Sequence, residues 1–185
     1  MQKTHRTTYY KYIKTHLPYC DKVLASANDT PLNGLRLSHL VLKEQPLFDS
    51  LPSTYIEHEN LALFLTLEHQ LNAYAQGTLS QFTIPLDLEG TLHQQKIWAL
   101  LQQIPYGKTC SYKDIAQKAG SSPRAIGGAN RKNPIPIIVP CHRVIKHDGS
   151  LGGYFGKNTN NDISVPSIKQ ALIQLENALI LFIIV

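Results

Sequence analysis

The pattern of apolar and polar positions predicts strands and then a helix in the first half of the chain. Residues 22–25 and 34–37 are short strand-like runs on either side of a turn-rich segment at 28–31. Apolar side chains then recur at helical spacing, at Leu61, Phe64, Leu67, Leu71 and Tyr74. Gly77 suits the end of that helix. We therefore expect an α/β N-terminal domain over residues 1–88, consisting of a small antiparallel sheet plus a helix.

The pattern changes at a connector, residues 82–90, which contains Pro85 and Gly90. After it, helical spacing dominates. A helix is predicted over about 93–103 and stops at 105–107, and its apolar face consists of Ile97, Leu100, Leu101 and Ile104. We place a domain boundary at the connector and expect a mostly helical C-terminal domain over residues 89–185.

A compact pair of helices is predicted next. Ser111 is placed to cap the first helix with Asp114 as its reciprocal partner, and Gly120 ends it. Ser122 caps the second helix, and Pro123 fits its first position. Helix, glycine-containing turn, helix is a helix-turn-helix layout, here in a winged-helix-like domain. Such a pair occurs as often in plain packing as in DNA binding.

The second helix of this pair contains unusually small residues, namely Ala125, Gly127, Gly128 and Ala129. Each glycine costs about 1 kcal/mol relative to alanine inside a helix. Close approach to another surface would offset that cost, whether the surface is a neighbouring helix or a nucleic-acid groove. The flanking Arg124, Arg131 and Lys132 favour nucleic acid, and a smooth helix suits the minor groove better than base reading in the major groove.

Charge supports the same interpretation. The 185-residue chain has a net charge of +5 with 43% hydrophobic and 17% charged residues, which indicates a globular protein. Residues 91–150 contain nine basic and two acidic residues and carry +7, so the rest of the chain sums to −2. This concentration favours a polyanion-binding surface over an ordinary solvated basic face.

The sequence also predicts where in the cell the protein is located. No N-terminal run resembles a signal peptide. The longest apolar run, 178–185, is far shorter than the roughly 20 residues of a membrane span, so we expect no membrane partner. That run is predicted to be a terminal core segment, with an exposed apolar tail as the alternative. Three cysteines without a CxxC pair indicate free thiols in a reducing compartment, the cytoplasm or nucleoid of a bacterium or the nucleus of a eukaryote.

Cys141 is the candidate nucleophile. It lies between Pro140 and His142, after an apolar run at 135–139 that predicts a strand. A free thiol has a pKa near ~8.5, which cationic neighbours lower. His142 can assist Cys141 only if the backbone turns at Pro140 or a water bridges the two groups. Glu176, on a helix predicted over 168–177, would orient His142 and complete a Cys-His-Glu array.

Other interpretations of these residues stay open. Cys141 is either this nucleophile or an ordinary buried cysteine. No spacing that includes Cys20 or Cys110 matches a zinc site, so no metal is predicted. Asn133 is either a turn residue or a buried amide that pins the loop beneath Cys141. Tyr112 is either core or a source of a reactive hydroxyl.

Several motifs together resemble one known family. They are Ile104-Pro105-Tyr106-Gly107, Ser111-Tyr112, the run from Arg124 to Ala129, Asn133-Pro134, Pro140-Cys141-His142-Arg143-Val144 and the Gly152-Gly153-Tyr154 loop. In this order and spacing they resemble the 6-O-alkylguanine-DNA alkyltransferases, also called methylated-DNA–protein-cysteine methyltransferases. The resemblance covers about residues 60–177 well.

The resemblance implies a single-use DNA repair reaction without a cofactor. Cys141 would take an alkyl group from the 6-oxygen of guanine and keep it as a stable thioether. His142 would receive the thiol proton through water with Glu176 behind it, Tyr112 would donate to the departing guanine, and Asn133 would brace the active-site turn.

The resemblance also implies how DNA binds. Arg124 would replace the target nucleotide when it flips out of the duplex. The protein would act as a monomer on the minor groove of double-stranded DNA. The groove-facing residues would be Arg124, Ala125, Gly127, Gly128, Ala129 and Arg131, and the pocket would be lined by Val139, Tyr154 and Phe155. The polar segment 157–166 is longer than the family pattern, which bears on the size of alkyl group accepted.

Two rival hypotheses predict different behaviour. A DNA-binding relative that recognises alkylated guanine without chemistry would lack the cysteine, which this chain keeps. A transcription regulator would bind specific sequences, but the glycine-rich helix offers few side chains for that purpose.

Overall fold

The computed structural model describes residues 7–18, 20–30, 33–42, 49, 51–153 and 168–183. The chain divides into two compact units, residues 1–89 and 90–185. The first consists of a small sheet and a helix, and the second is mostly helical.

The sheet of the first unit has the strand order β3-β2-β1-β4. Its strands are β1 (Thr7–Leu17), β2 (Cys20–Thr30), β3 (Gly34–Leu42) and β4 (Ile56–Glu57). The first three pair antiparallel in sequence, and β4 adds a short parallel edge beside β1. The predicted strands at 22–25 and 34–37 are therefore parts of longer strands.

Tertiary contacts explain why the sequence pattern underestimates this sheet. Asn28 belongs to the predicted turn but lies in β2, where its Nδ2 donates to Asp87 Oδ2 at 2.8 Å and its Oδ1 accepts from Thr8 at 2.9 Å. Lys11 interrupts the apolar pattern of β1 but is paired with Glu68 at 2.8 Å. These partners are remote in sequence, so local propensity cannot register them.

Helix α1 (Ala62–Ala75) packs on the sheet with the apolar face that its spacing predicts. The largest side chains between the sheet and α1 are completely buried; they are Ile13, Leu40, Leu42, Phe64, Leu67, Leu71 and Tyr74. Gly77 has a φ of 75° just past the helix end, in the left-handed region that glycine tolerates.

The second unit begins with α2 (Leu92–Leu101), which Thr91 and Gln94 cap reciprocally. Trp98 is buried on this helix, and its Nε1 donates to the carbonyl of Ala129 at 3.0 Å. Gly90 packs against the Trp98 ring so closely that a Cβ there would lie 2.7 Å from the ring. Trp98 thereby fixes the backbone of a later helix.

Helices α3 (Tyr112–Ala119) and α4 (Pro123–Arg131) follow with a short turn between them. The predicted caps are confirmed. Ser111 and Asp114 form a capping box, Gly120 ends α3 in the left-handed conformation, and Ser122 caps α4 ahead of Pro123. The short strand β5 (Cys110–Ser111) pairs in parallel with β6 (Val144–Ile145).

The strand predicted at 135–139 is absent from the described structure. This segment forms a tight turn with a bridge between Pro136 and Val139, and Ile137 has a φ of 75°. A positive φ is unusual for a β-branched residue and is therefore strained. The apolar run leads to Cys141 as expected, but as a buried turn whose backbone Asn133 anchors.

The last helix, α5 (Ile168–Ile183), is longer than the predicted 168–177 and continues into the apolar tail. The side chains from Leu179 onward lie outside the described residues. In the described part of the chain, no helix combines the length and apolar character that crossing a membrane requires.

Candidate active site

Cys141 lies at the start of a 3₁₀ turn, Cys141–Arg143, and is 3% exposed. The Asn133 side chain holds this turn. Its Nδ2 lies 2.8 Å from the Val139 carbonyl and 3.2 Å from Cys141 Sγ, and its Oδ1 accepts from the Ile135 amide at 3.0 Å. Of the two interpretations of Asn133, the structure favours the buried amide that pins the loop.

His142 is completely buried next to the cysteine, and its Nε2 lies 2.9 Å from Glu176 Oε1. Burial lowers the pKa of His142. The hydrogen bond and charge of Glu176 oppose this, and Arg143 and Lys169 add to it. The ring is therefore neutral at pH 7. Because Nε2 faces a carboxylate, the proton sits on Nε2, and Nδ1 carries the lone pair.

Glu176 is a buried carboxylate with several donors around it. Arg143 donates from Nε at 3.0 Å and from a terminal nitrogen at 2.9 Å, and the Gly107 amide donates at 3.0 Å. Burial by itself would raise the pKa of Glu176, but the hydrogen bonds and charges of His142 and Arg143 lower it to about 2. The carboxylate is ionised throughout the neutral range, as a base-orienting group requires.

Arg143 follows Cys141 closely in sequence but is paired with Glu176. Its guanidinium forms a forked pair with Glu176, and its other terminal nitrogen donates to the Ile104 carbonyl at 2.7 Å. The pair neutralises the Arg143 charge, which is therefore committed to the Glu176 cluster and not to the thiol. Lys146 is exposed on the turn after the site.

Lys169 is a buried residue of the site that the sequence did not reveal as functional. Its Nζ donates to the Val144 carbonyl at 2.6 Å and lies 5.5 Å from the centre of the Tyr112 ring. Burial lowers the pKa of Lys169 to about 8, although the charge of Cys141 opposes this. A lysine two helical turns before Glu176, among apolar neighbours, is the signal that could have found it.

Tyr112 begins α3 and is partly buried beside these groups. Burial raises the pKa of its hydroxyl, the charge of Cys141 raises it further, and the Asn130 amide lowers it. The hydroxyl is therefore protonated at neutral pH and able to donate. Val139 is completely buried beneath the turn, whereas Tyr154 and Phe155 lie outside the described residues.

The outer surface of α4 presents Arg124, Gly128 and Arg131, all exposed, with Gly127 half-buried. Among the described residues, and apart from the backbone of α4 itself, no atom lies within 4 Å of a Cβ built on Gly127 or Gly128, so packing against a described helix does not explain these glycines. Ala125 is half-buried. Ala129 differs from the expectation, because it is 3% exposed and lies on the inner face, where its carbonyl accepts from Trp98.

The described residues hold no cluster of three or more His, Cys, Asp or Glu side chains that would suit a metal ion. Cys20 is buried and Cys110 is half-buried, and neither forms a disulfide.

Comparison with known proteins assigns the chain to a family. Residues 92–178, which contain the whole site, match the family model of the 6-O-methylguanine DNA methyltransferase DNA-binding domain. The chain is 36% identical to the constitutive methylated-DNA–protein-cysteine methyltransferase of Bacillus subtilis over 151 residues, covering 80% of this chain and 88% of that one. The chain belongs to the methylated-DNA–protein-cysteine methyltransferase family.

Other members of this methyltransferase family are similar to the chain over most of its length. The Methanosarcina barkeri methyltransferase is 42% identical over 146 residues, covering 78% of this chain and 86% of that one. The crystal structure of Mycobacterium tuberculosis OGT in complex with DNA superposes with a TM-score of 0.73 at 35% identity, covering 92% of this chain and 94% of that one. Membership of the family makes this protein a methyltransferase.

The Glu176 cluster predicts a specific response to charge removal. Glu176→Gln leaves Arg143 buried without a counter-charge, so we expect the free energy of unfolding at pH 7 to fall by about 3–5 kcal/mol in urea denaturation. The pKa of Glu176 is lowered from 4.5 to about 2, so its contribution is present above about pH 4.5 and is lost as the pH falls from there through 2. As the pH falls from 4.5 to 2, the free energy of unfolding should therefore decrease less in Glu176→Gln than in the parent.

The matched control is Glu68→Gln, which removes the partner of Lys11 in a half-exposed pair. An exposed pair contributes about 0–1 kcal/mol, so this variant should remain close to the parent. Equal losses in the two variants would show that the buried cluster has no special role in stability.

Proposed function

We propose that Cys141 is the acceptor to which this DNA-repair methyltransferase irreversibly transfers methyl or larger alkyl groups from the 6-oxygen of guanine in DNA. One observation carries the proposal: a buried thiol is held by Asn133 directly beside a neutral histidine that Glu176 orients. This is the arrangement of nucleophile, base and orienting group that a thiol attack requires.

The proton transfer follows from the His142 tautomer. Nδ1 of His142 is buried and forms no hydrogen bond with the described residues, so its lone pair is available to a proton. We propose that the thiol proton of Cys141 reaches Nδ1 through one water molecule. The imidazolium that forms is stabilised by Glu176, and the thiolate by the Asn133 amide at 3.2 Å.

The transfer itself is an in-line displacement at carbon. The thiolate forms a sulfur–carbon bond while the bond between that carbon and the guanine 6-oxygen breaks, and its electrons go to the purine. Tyr112 donates its hydroxyl proton to the departing guanine. The proton that His142 took from Cys141 then returns to the Tyr112 phenolate through solvent, so both side chains end neutral. The thioether is stable, so each molecule reacts once and no cofactor is consumed.

We propose that residues 90–185 form the domain that binds DNA and accepts the alkyl group, with residues 1–89 as a separate N-terminal domain. Helices α3 and α4 would act as a helix-turn-helix, with the exposed side of α4 in the minor groove. Gly127 and Gly128 would allow close approach to the groove, and Arg131 would contact the backbone. The +7 charge of residues 91–150 supports binding to duplex DNA. We propose that the protein binds it as a monomer, in the bacterial cytoplasm or a nucleus.

A buried thiol implies that the target base leaves the duplex. Cys141 is 3% exposed, so a base within the stack cannot reach it. We propose that Arg124, exposed in the first turn of α4, occupies the space that the flipped nucleotide leaves. Its long side chain extends from the surface that carries the small residues.

Mass spectrometry of the intact protein tests the proposed acceptor. After incubation with a duplex carrying one 6-O-methylguanine, we expect each protein molecule to gain a single methyl group in place of hydrogen, mapped to Cys141. Cys141→Ala should abolish the gain and still bind the duplex. The matched control, Cys110→Ala, removes a half-buried thiol outside the site and should react like the parent. Tight binding without any adduct would identify a binding module in place of a transferase.

The glycines of α4 provide a test of the DNA surface. Gly127 has open space around its Cβ position and a helical backbone, so Gly127→Ala should raise the free energy of unfolding by about 0.5–1 kcal/mol. If this position enters the minor groove, the same change weakens duplex binding, measured by fluorescence anisotropy. The matched control is Gly120→Ala, which should destabilise the protein because Gly120 has a φ of 63°. Unchanged duplex affinity in Gly127→Ala would exclude close approach at this position.

A further inference from the structure

Lys169 is a buried cation that takes no part in the proposed transfer as described so far. It lies in the first turn of α5 and is completely buried, and its Nζ donates to the Val144 carbonyl at 2.6 Å. Among the described residues it forms no ion pair with a carboxylate. A buried charge without a counter-charge destabilises a folded protein, so the presence of this lysine calls for an explanation.

Arg143, a second cation of the site, shows what Lys169 lacks. The Arg143 guanidinium is neutralised by its forked pair with Glu176. The described residues offer the three N–H groups of Lys169 a single hydrogen-bond acceptor, the Val144 carbonyl. A methionine would fill nearly the same volume without a charge. The charge of Lys169 is therefore the feature that requires a role.

The aromatic ring of Tyr112 faces this charge. The Nζ atom of Lys169 lies over the ring, 5.5 Å from its centre. A cation within about 6 Å of the centre of an aromatic ring is attracted to the face of the ring. The attraction becomes stronger when the phenol loses its proton, because part of the negative charge of a phenolate is delocalised into the ring. Lys169 is therefore placed to favour the loss of a proton from Tyr112.

We propose that Lys169 is a positioning residue for proton donation: its ammonium group, held over the Tyr112 ring by the Val144 carbonyl, stabilises the negative charge that develops on Tyr112 as the hydroxyl proton passes to the departing guanine. The inference rests on the proposed function, in which Tyr112 protonates that base. The charge is in place before the base arrives and is shielded from water, so it needs no reorganisation during transfer. No bond to Lys169 forms or breaks.

The charge state of Lys169 makes this role depend on pH. Burial lowers the pKa of Lys169 to about 8, so the ammonium group is present below about pH 8 and is lost as the pH rises through that value. Besides Tyr112, the titratable groups nearby are Cys141 and His142. The charge of Cys141 raises the pKa of Lys169, and Lys169 lowers that of His142. An effect of Lys169 on the Cys141 thiol is the rival explanation, and it predicts a different result when the Tyr112 hydroxyl is removed.

The rate of single-turnover methyl transfer tests this role, measured with a saturating duplex that carries one 6-O-methylguanine. Lys169→Met removes the charge and should slow transfer about tenfold at pH 7. At pH 9, where most of the parent lysine is neutral, it should slow transfer only about twofold. In Tyr112→Phe, which has no hydroxyl proton to donate, Lys169→Met should have no further effect at either pH.

Two further variants separate the charge from structural effects. Lys169→Gln keeps an N–H donor for the Val144 carbonyl but has no charge, so it should slow transfer as much as Lys169→Met. The matched control is Lys22→Met, which removes an ammonium group 4.4 Å from the centre of the Tyr12 ring in the N-terminal unit. This control should leave the rate unchanged.

The outcomes are distinguishable. If the parent transfers no methyl group, the proposed function fails. If the parent is active, the role of Lys169 alone is overturned by any of four results. Equal slowing with and without the Tyr112 hydroxyl would assign the effect to the Cys141 thiol, and equal slowing at pH 7 and pH 9 would indicate a structural lysine. A parent-like rate in Lys169→Gln would show that only the hydrogen bond matters, and a parent-like rate in Lys169→Met would show that the lysine has no role in transfer.

Discussion

The buried carboxylate of Glu176 is the group on which the arrangement of the site depends. It receives the forked guanidinium of Arg143, the Nε2–H of His142 and the Gly107 amide, so it joins α5 to the cysteine turn and to the loop after α2. An ion pair this deep is costly unless every polar atom around it is satisfied. Here the hydrogen bond from His142 both stabilises the Glu176 carboxylate and fixes the tautomer of His142. The same contacts therefore serve the stability of the fold and the chemistry of the site.

Several locally unfavourable features lie in the second unit. Ile137 has a positive φ, and Gly127 and Gly128 weaken the interior of α4. A fold can retain such departures from local preference for function. Ile137 belongs to the turn that leads to Cys141, and in the proposed function Gly127 and Gly128 allow close contact with DNA.

The sequence predicts those parts of the molecule whose causes are local. Ser111 with Asp114, Gly120 and Ser122 with Pro123 mark the start and end of α3 and the start of α4, because capping depends on residues a few positions apart. The sequence pattern does not predict structure that is determined by contacts between residues far apart in the chain. Asn28 lies in a strand because Asp87 binds it, and 135–139 forms a turn because Asn133 bonds to its backbone. The contact of Glu176 with His142 is part of the array that the sequence predicts. The pairing of Arg143 with Glu176 has no local signal, and the burial of Lys169 has only one, its place among apolar neighbours two turns before Glu176.

The central claim is that burial keeps His142 neutral while Glu176 holds its proton on Nε2, which leaves the Nδ1 lone pair available to the thiol of Cys141. Nitrogen-15 NMR of the imidazole ring across the pH range tests this most directly, with His142 assigned by substitution. The account predicts a single neutral Nε2–H tautomer at pH 7 that persists below the ordinary histidine pKa, because burial lowers the pKa of His142. An imidazolium at pH 7, or a neutral ring with its proton on Nδ1, would contradict it.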